Sequence, residues 1–254
     1  MPTIDLNADL GEGAASDAEL LTIVSSCNIA CGGHAGDIES MRATIVRAVA
    51  NRVAIGAHPS YPDRAGFGRR ARFMTGEALY ESLTTQVSDL CDIAAETGAL
   101  LHHVKPHGAL YTDAALDEQL ADLLARVADE AHGVVALVGP PASALEKAAK
   151  AHGIGFVAEA FVDRTYDDDG TLLPRSEQGA VHTDLALIVA QALSLAVDQR
   201  VLTKSGKMLQ IAAQTLCIHG DTDRAVDAAR AVSAALSQRG LLIASVQQGR
   251  VAIG

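Results

Sequence analysis

Histidines, carboxylates and one lysine fall in short polar clusters, each closing an apolar run. The clusters are Asp5-Leu6-Asn7-Ala8-Asp9, Asn28-Ile29-Ala30-Cys31-Gly32-Gly33-His34-Ala35-Gly36-Asp37, Gly56-Ala57-His58-Pro59-Ser60, Val104-Lys105-Pro106-His107-Gly108, Asp163-Arg164-Thr165-Tyr166 and Cys217-Ile218-His219-Gly220-Asp221. Gathered in one place, these residue types perform acid–base chemistry. Each cluster lies in or just after a predicted strand, and helical periodicity follows most of them. In an α/β barrel the carboxyl ends of the strands open on one mouth, so groups far apart in sequence meet there.

Each candidate has a plainer alternative. Strand alternation puts Asp5, Asn7 and Asp9 on one face and Ile4, Leu6 and Ala8 on the other, an unusual pattern for a plain core strand. Asp37 and Asp221 each precede a helix, where capping alone explains an aspartate. His34 and His219 precede those aspartates in similar strand-end settings. A hydrogen-bonded core histidine is the alternative for His58. Lys105 shares a strand face with Leu101 and His103, while His102 points the other way. Burying such a lysine is costly unless it is paired or functional. Its neighbour His107 is read with it.

Asp163-Arg164 reads as a substrate contact or as a surface ion pair of small worth. Arg69 and Arg175 lie in loops, where a guanidinium fork suits a carboxylate. Asp5 or Asp9 with two histidines is chemically capable of holding a metal. The competing reading is that these groups bond one another and the substrate, so no metal ligand is assigned.

The elements that must position these groups alternate strand and helix. Strands are expected at Thr3–Asp9, Ile23–Cys31, Val53–His58, Leu100–Lys105, Val134–Val138, Ile154–Phe161 and Gln214–His219. Helices are expected at Ile38–Asn51, after a Thr75 cap to Gly98, at Leu116–Ala131, from Pro140-Pro141 to Gly153, at Leu185–Val197 and at Thr222–Gln238. Such alternation implies a parallel sheet, open or closed. The loop Pro59–Met74 is long enough to suggest a lid or binding loop. The segment Asp167–Glu177 is turn-rich, and the tail Leu241–Gly254 has room for one more strand. No linker or repeat divides residues 1–254, which read as a single domain.

Composition narrows the function. The 254 residues carry a formal net charge of -11, with 49% hydrophobic and 3% aromatic residues. Nucleic-acid binding needs a basic face and stacking surface, and the chain offers neither. Its start has no signal-peptide pattern, and its most apolar helix is too short for a membrane span. A cytoplasmic protein is expected. Cys27, Cys31, Cys91 and Cys217 form no CxxC pair and read as reduced thiols. Neither a Gly-x-x-x-x-Gly-Lys-Ser/Thr loop nor a Gly-x-Gly-x-x-Gly opens a helix; Ser205-Gly206-Lys207-Met208 is no substitute.

Taken in order, the clusters resemble the LamB/YcsF family, described as the A-type component of 5-oxoprolinase. The carrying stretches are Ile4 to Gly13, Asn28 to Asp37, Ile55 to Asp63, Gly66-Phe67-Gly68-Arg69-Arg70, Val104 to Tyr111, Asp163 to Tyr166, Pro174-Arg175 and Cys217 to Asp221. Two positions depart from the family pattern: Ala14 and Gly33 stand where it usually has an aromatic.

The resemblance implies a (β/α) barrel-like fold of the glycoside hydrolase/deacetylase type with about seven strands. It implies a hydrolase that opens the cyclic amide of 5-oxo-L-proline to L-glutamate, with ATP and its magnesium counter-ion consumed. Two partner subunits, of B and C type, are implied with it. On this reading Asp9, His34, His58, Lys105 and His107 are catalytic. Asp5, Asn7, Asn28, Asp37, Arg69, Asp163, Arg164, Arg175 and His219 bind substrate. Two rivals are a metal-dependent deacetylase or amidohydrolase, and a non-catalytic lactam-binding subunit.

Overall fold

The computed structural model describes residues 1–71, 74–222 and 224–246. In chain order the elements are β1 (Thr3–Leu10), α1 (Asp17–Leu20), β2 (Ser26–Ala30), α2 (Ile38–Asn51), β3 (Ala54–His58), α3 (Gly76–Glu96), β4 (His103–Val104), α4 (Gly108–Leu116) and α5 (Glu118–Glu130). They continue with β5 (Ala136–Gly139), α6 (Ala144–His152), β6 (Gly155–Phe161), α7 (Leu185–Leu193), β7 (Arg200–Leu202), β8 (Met208–Gln210), β9 (Thr215–His219), α8 (Ala225–Gln238) and β10 (Leu242–Ile243). Strands β1 to β6 and β9 pair in parallel, and β9 returns to β1, closing a seven-stranded barrel. β10 adds to β1 at Thr3 and Ile4.

Alternation along β1 sorts the barrel's two surfaces. Ile4, Leu6, Ala8 and Leu10 pack in one apolar cluster with Met41 and Ile45 of α2, Leu83 and Leu90 of α3, and Leu124 of α5. Each such Leu or Ile side chain contributes about 1.5–3 kcal/mol by leaving water. Asp5, Asn7 and Asp9 face the lumen instead. Register makes polar rungs there: Asp9 pairs with Asn28, Asn28 with Gly56, and Gly56 with His103. A Cβ on Gly56 would come within 2.1 Å of the His103 ring, so only glycine leaves that ring its place.

The lumen is therefore a hydrogen-bonded polar core, where α/β barrels usually stack branched aliphatic residues. Burying these groups is tolerable because they bond one another. Asn7 Nδ2 donates to Glu159 Oε1 at 3.0 Å and Thr215 Oγ1 at 2.7 Å, and Asn28 Nδ2 donates to Asn7 Oδ1 and Asp9 Oδ1 at 2.8 Å each.

Several expected boundaries shift for local reasons. The expected helix at Leu116–Ala131 is two helices. Asp117 is extended and caps α5 through the backbone N–H groups of Gln119 and Leu120. α4 lacks the one-sided apolar stripe that makes a helix legible, since Ala109, Leu110, Tyr111, Ala114, Ala115 and Leu116 spread around it. The helix expected from Pro140-Pro141 begins only after Ser143, which caps α6, because Ala142 has φ +60°. α7 widens into a π-helical turn over Ser194–Asp198. Strand four shrinks to His103–Val104, although His102 and Lys105 each donate one more backbone bond to β3. Ser205-Gly206-Lys207 is the turn of the β7–β8 hairpin. Of the tail, Leu242 and Ile243 form β10, and residues from 247 onward lie outside the described residues.

Candidate active site

At the carboxyl ends of the strands a cleft of about 730 Å³ opens, lined by Asp9, Glu12, His58, Lys105, His107, Phe161, Arg164, Arg175 and His219, among others. Its deepest charge is Lys105, 1% exposed. Lys105 stands just past β4 and is held there by Pro106. Its Nζ lies 2.8 Å from Asp9 Oδ1, 2.8 Å from Glu159 Oε1 and 3.1 Å from Cys217 Sγ. Burial alone would discharge the ammonium. Asp9 and Glu159 outweigh it and hold the group well above the ordinary lysine range. Burial likewise pushes Asp9 up, but His58 and Lys105 overcome it and keep that carboxyl well below its usual range.

Beside this pair three imidazoles converge. His58 ends β3 and donates Nδ1–H to the Lys105 carbonyl at 2.8 Å; its Nε2 is 3.3 Å from Asp9 Oδ2. His107 lies at the start of α4 and donates Nε2–H to the Phe67 carbonyl at 3.0 Å. The carbonyl can only accept, which fixes both tautomers. His34 stacks on His107 with centroids 3.6 Å apart, and its Nε2 is 3.0 Å from Glu12 Oε1. Burial pushes His34 and His107 down, to neutral imidazole.

The loop after β3 roofs this cluster. Arg64 donates to the carbonyls of Gly32 and Gly36, and Ala109 N–H bonds the Gly68 carbonyl. Phe67 sits edge-on to His34 and His107 with φ +54°, a strained conformation for a bulky residue. Gly68 and Gly108 pass so closely that a Cβ on Gly108 would lie 2.6 Å from the Gly68 carbonyl oxygen.

A second polar pair stands nearer the mouth. His219 Nδ1 is 2.9 Å from both carboxylate oxygens of Asp163, and the His219 ring stacks on Phe161 at 5.1 Å. Burial raises the Asp163 carboxyl, but His219 more than offsets it and the carboxyl ends below its ordinary value. Asp163 thus fixes the His219 ring and leaves Nε2 for the cleft. At the rim, Arg69 and Arg175 both pair with Asp221.

The structure thus gathers Asp9, His34, His58, Lys105 and His107, supports them with Asn7 and Asn28, and sets Asp163, His219, Arg69 and Arg175 above them. Lys105 and His58 open on the same end of the barrel. Two expected contacts, Asp5 and Asp37, belong elsewhere. Asp5 lies at the opposite end, held by Ser25, Ser26 and Thr215 Oγ at 2.5–2.7 Å, because it sits lower on β1 than Asn7 and Asp9. Asp37 is exposed and caps α2 in a reciprocal capping box with Ser40. Arg164 lines the cleft, and its Nε and Nη2 donate to the Ala180 and Leu173 carbonyls at 3.2 and 2.5 Å, so it is built into the wall and is no surface ion pair.

Comparison with known proteins gives the lineage. The LamB/YcsF family model matches residues 4–251. The chain belongs to the LamB/YcsF family. It is 37% identical to a lactam utilization protein from Thermus thermophilus, with 96% of this chain and 99% of that one covered and a TM-score of 0.88. Two more distant structures share the barrel alone. Peptidoglycan deacetylase PdaC from Bacillus subtilis matches at 14% identity and TM-score 0.50, over 97% and 89% of the two chains. Polysaccharide deacetylase Bc1974 from Bacillus cereus matches at 16% and 0.50, over 96% and 91%.

Two carboxylates of this LamB/YcsF chain escape a residue-by-residue reading. Glu159 is the one charge in the apolar strand β6, and its burial demands a partner. That signal is present in the sequence. Glu12 follows Gly11, whose φ of +77° breaks the strand alternation and turns the side chain toward the histidines. Only its place between Gly11 and Gly13 hints at this.

Among the described residues no helix is long and apolar enough to cross a membrane. The four cysteines are unpaired. Burial pushes the Cys31 thiol up to about 12, and those of Cys27 and Cys217 upward as well, which argues against thiolate chemistry.

Proposed function

We propose that this chain is the lactam-binding, ring-opening subunit of an ATP-dependent 5-oxoprolinase, converting 5-oxo-L-proline to L-glutamate with ADP and phosphate. The observation that carries the reading is the cleft. It places cationic Arg69 and Arg175 at the rim, an Asp163–His219 pair midway and the Asp9–Lys105 pair at the base. A small anionic amide suits that sequence of groups. The near full-length likeness to a lactam utilization protein supports the choice of a lactam.

A lactam is resonance-stabilised and resists water. Phosphoryl transfer from ATP to the lactam oxygen makes the ring carbon electrophilic. Water adds there, the ring C–N bond breaks, and the nitrogen leaves after taking a proton. A second water then releases phosphate from the acyl phosphate. His219, oriented by Asp163, is placed to move the protons. Arg175 offers its fork to the substrate carboxylate. Lys105 and the backbone-fixed His58 hold Asp9 anionic beneath the reacting amide.

The sequence has no phosphate-binding loop, so magnesium-bound ATP needs contacts from elsewhere. Two partner subunits of B and C type supply them on this reading, docking against the mouth beside the loop after β3. A cytoplasmic location goes with the use of ATP. The test incubates the chain with ATP, magnesium and 5-oxoproline, alone and with the two partners, and assays glutamate and ADP. Coupled turnover is expected only in the full mixture. Turnover by the chain alone, at about 1–10³ per second, removes the partner requirement; none in the full mixture overturns the reading. A second reading, an ATP-independent amidohydrolase, draws on the Glu12–histidine cluster. Release of acetate from N-acetylated amines without ATP would select it.

A further inference from the structure

Four ligand atoms from four different segments point at one spot. Glu12 Oε1, His34 Nε2, His58 Nε2 and His107 Nδ1 all lie within 4.8 Å of one another. Glu12 Oε1 is 3.0 Å from His34 Nε2, 3.4 Å from His107 Nδ1 and 4.0 Å from His58 Nε2. The decisive contact is between His58 Nε2 and His107 Nδ1, 3.0 Å apart. Each ring already donates its other N–H to a backbone carbonyl, His58 to Lys105 and His107 to Phe67. With no proton between them, both facing nitrogens carry lone pairs. Glu12 adds a carboxylate oxygen, and Asp9 Oδ2 lies 3.3 Å from His58 Nε2. One positive charge at this point, a proton or a metal ion, serves all of these groups at once.

We propose that Glu12, His34, His58 and His107 bind one divalent first-row transition-metal ion of the zinc class. A tetrahedral site with bonds of about 2.0–2.1 Å has ligand atoms about 3.3 Å apart, close to the separations here. Three imidazoles and one carboxylate are a donor set for zinc, manganese or iron, not for calcium or magnesium. Backbone carbonyls holding the outer N–H groups of His58 and His107 match the outer shell that orients metal-binding imidazoles. The partner of the His34 ring is Glu12 itself, through Nε2, while its Nδ1 is buried without one. Asp9 and Glu159 already share the one ammonium of Lys105, so among the described residues Glu12 has only the imidazoles beside it. When bound, the ion would polarise an amide oxygen or a water molecule.

A proton on His58 Nε2 would relieve the same repulsion, and the experiment separates the two. The full chain is purified without chelator or added metal and its metal content measured. It is then stripped with EDTA and titrated with zinc and with cobalt(II), following the visible cobalt bands and the melting temperature. One ion per chain is expected, with a rise in Tm and cobalt bands that zinc displaces. Glu12→Gln, which keeps the side chain's size, and His107→Ala should each weaken zinc at least about tenfold, while His152→Ala on the outer surface binds as before. Circular dichroism checks each fold; if His107→Ala fails to fold, Glu12→Gln and zinc–cobalt competition carry the test. A stripped chain that takes up no ion at micromolar concentrations, or uptake unchanged by Glu12→Gln, overturns the proposal. None of these readouts involves lactam turnover, so the metal site and the lactam reading can fail separately.

Discussion

Lys105 Nζ lies 2.8 Å from Glu159 Oε1, tying the end of β4 to the middle of β6 inside the barrel. With Asp9 at the same distance, one ammonium serves two buried carboxylates. Lys105 is therefore structural as well as chemical, and its removal cannot leave the fold untouched. Lys105→Met should lower stability by about 3–5 kcal/mol, because it strands buried carboxylates. The double variant Lys105→Met/Glu159→Gln should lose less than the sum of the singles. Urea unfolding of the four proteins checks this. The sign with pH follows from the raised lysine: its contribution is complete below the unfolded value of about 10.4 and disappears as pH rises through the higher folded value. A Lys105→Met variant as stable as wild type would mean the bridge is absent.

His103 gives the acid side. Burial pushes it down to about 3, and its Nε2 meets Asn28 Oδ1 at 2.7 Å as a neutral donor. A histidine depressed in the folded state stabilises fully above its unfolded value of about 6.5 and loses that contribution as pH falls toward the folded value. His34 and His107 shift in the same direction. Stability should thus decline progressively as pH falls from about 6.5 toward 3. His103→Gln retains a donor without the proton uptake, so its Tm should fall less steeply over that window. Parallel Tm–pH curves for variant and wild type would assign the acid loss to other groups.

How much of this is legible in the chain depends on how local each cause is. Alternation from Thr3 to Asp9 suffices to read β1 and its polar face, because strand period is a property of consecutive residues. The same rule applied to Gly155–Phe161 points Glu159 inward. Glu12 is not legible that way, since a left-handed glycine resets the direction of the chain. Asp5 and Asp9 look alike in sequence yet face opposite ends of the lumen, because height along a strand matters as much as face. Asp37 shows the converse: its capping bonds involve Ser40 only three residues away, and that local explanation is sufficient.

Asp163 acts on the reaction only through His219, and one substitution tests the pair. Asp163→Asn keeps size while removing the charge that orients His219. In the three-subunit assay kcat should fall about 10²–10⁴-fold, the usual range for losing a positioned acid–base group. KM for 5-oxoproline should change little, because Asp163 reaches the reaction through His219 and not through the bound ring. A raised KM with kcat unchanged would reduce Asp163 to a packing role. Circular dichroism is needed beside it, since Asp163 also accepts from the His219 backbone N–H.

Arg175 separates binding from chemistry. Its Nη1 is 3.3 Å from Asp221 Oδ2, a partly exposed pair at the rim that contributes little to stability. A substrate carboxylate entering the cleft can take the place of Asp221 on that fork. Arg175→Ala should therefore leave stability within about 1 kcal/mol of wild type. It should raise KM for 5-oxoproline about tenfold or more, the loss of one charge-assisted contact of about 1.5–3 kcal/mol. Its kcat at saturation should stay near wild type, because the lost contact is equal in ground and transition states. The sharper check uses 2-pyrrolidinone, the same lactam without the carboxylate. Binding of that ring should be indifferent to Arg175. If the variant weakens both ligands equally, the arginine shapes the cleft and does not read the carboxylate.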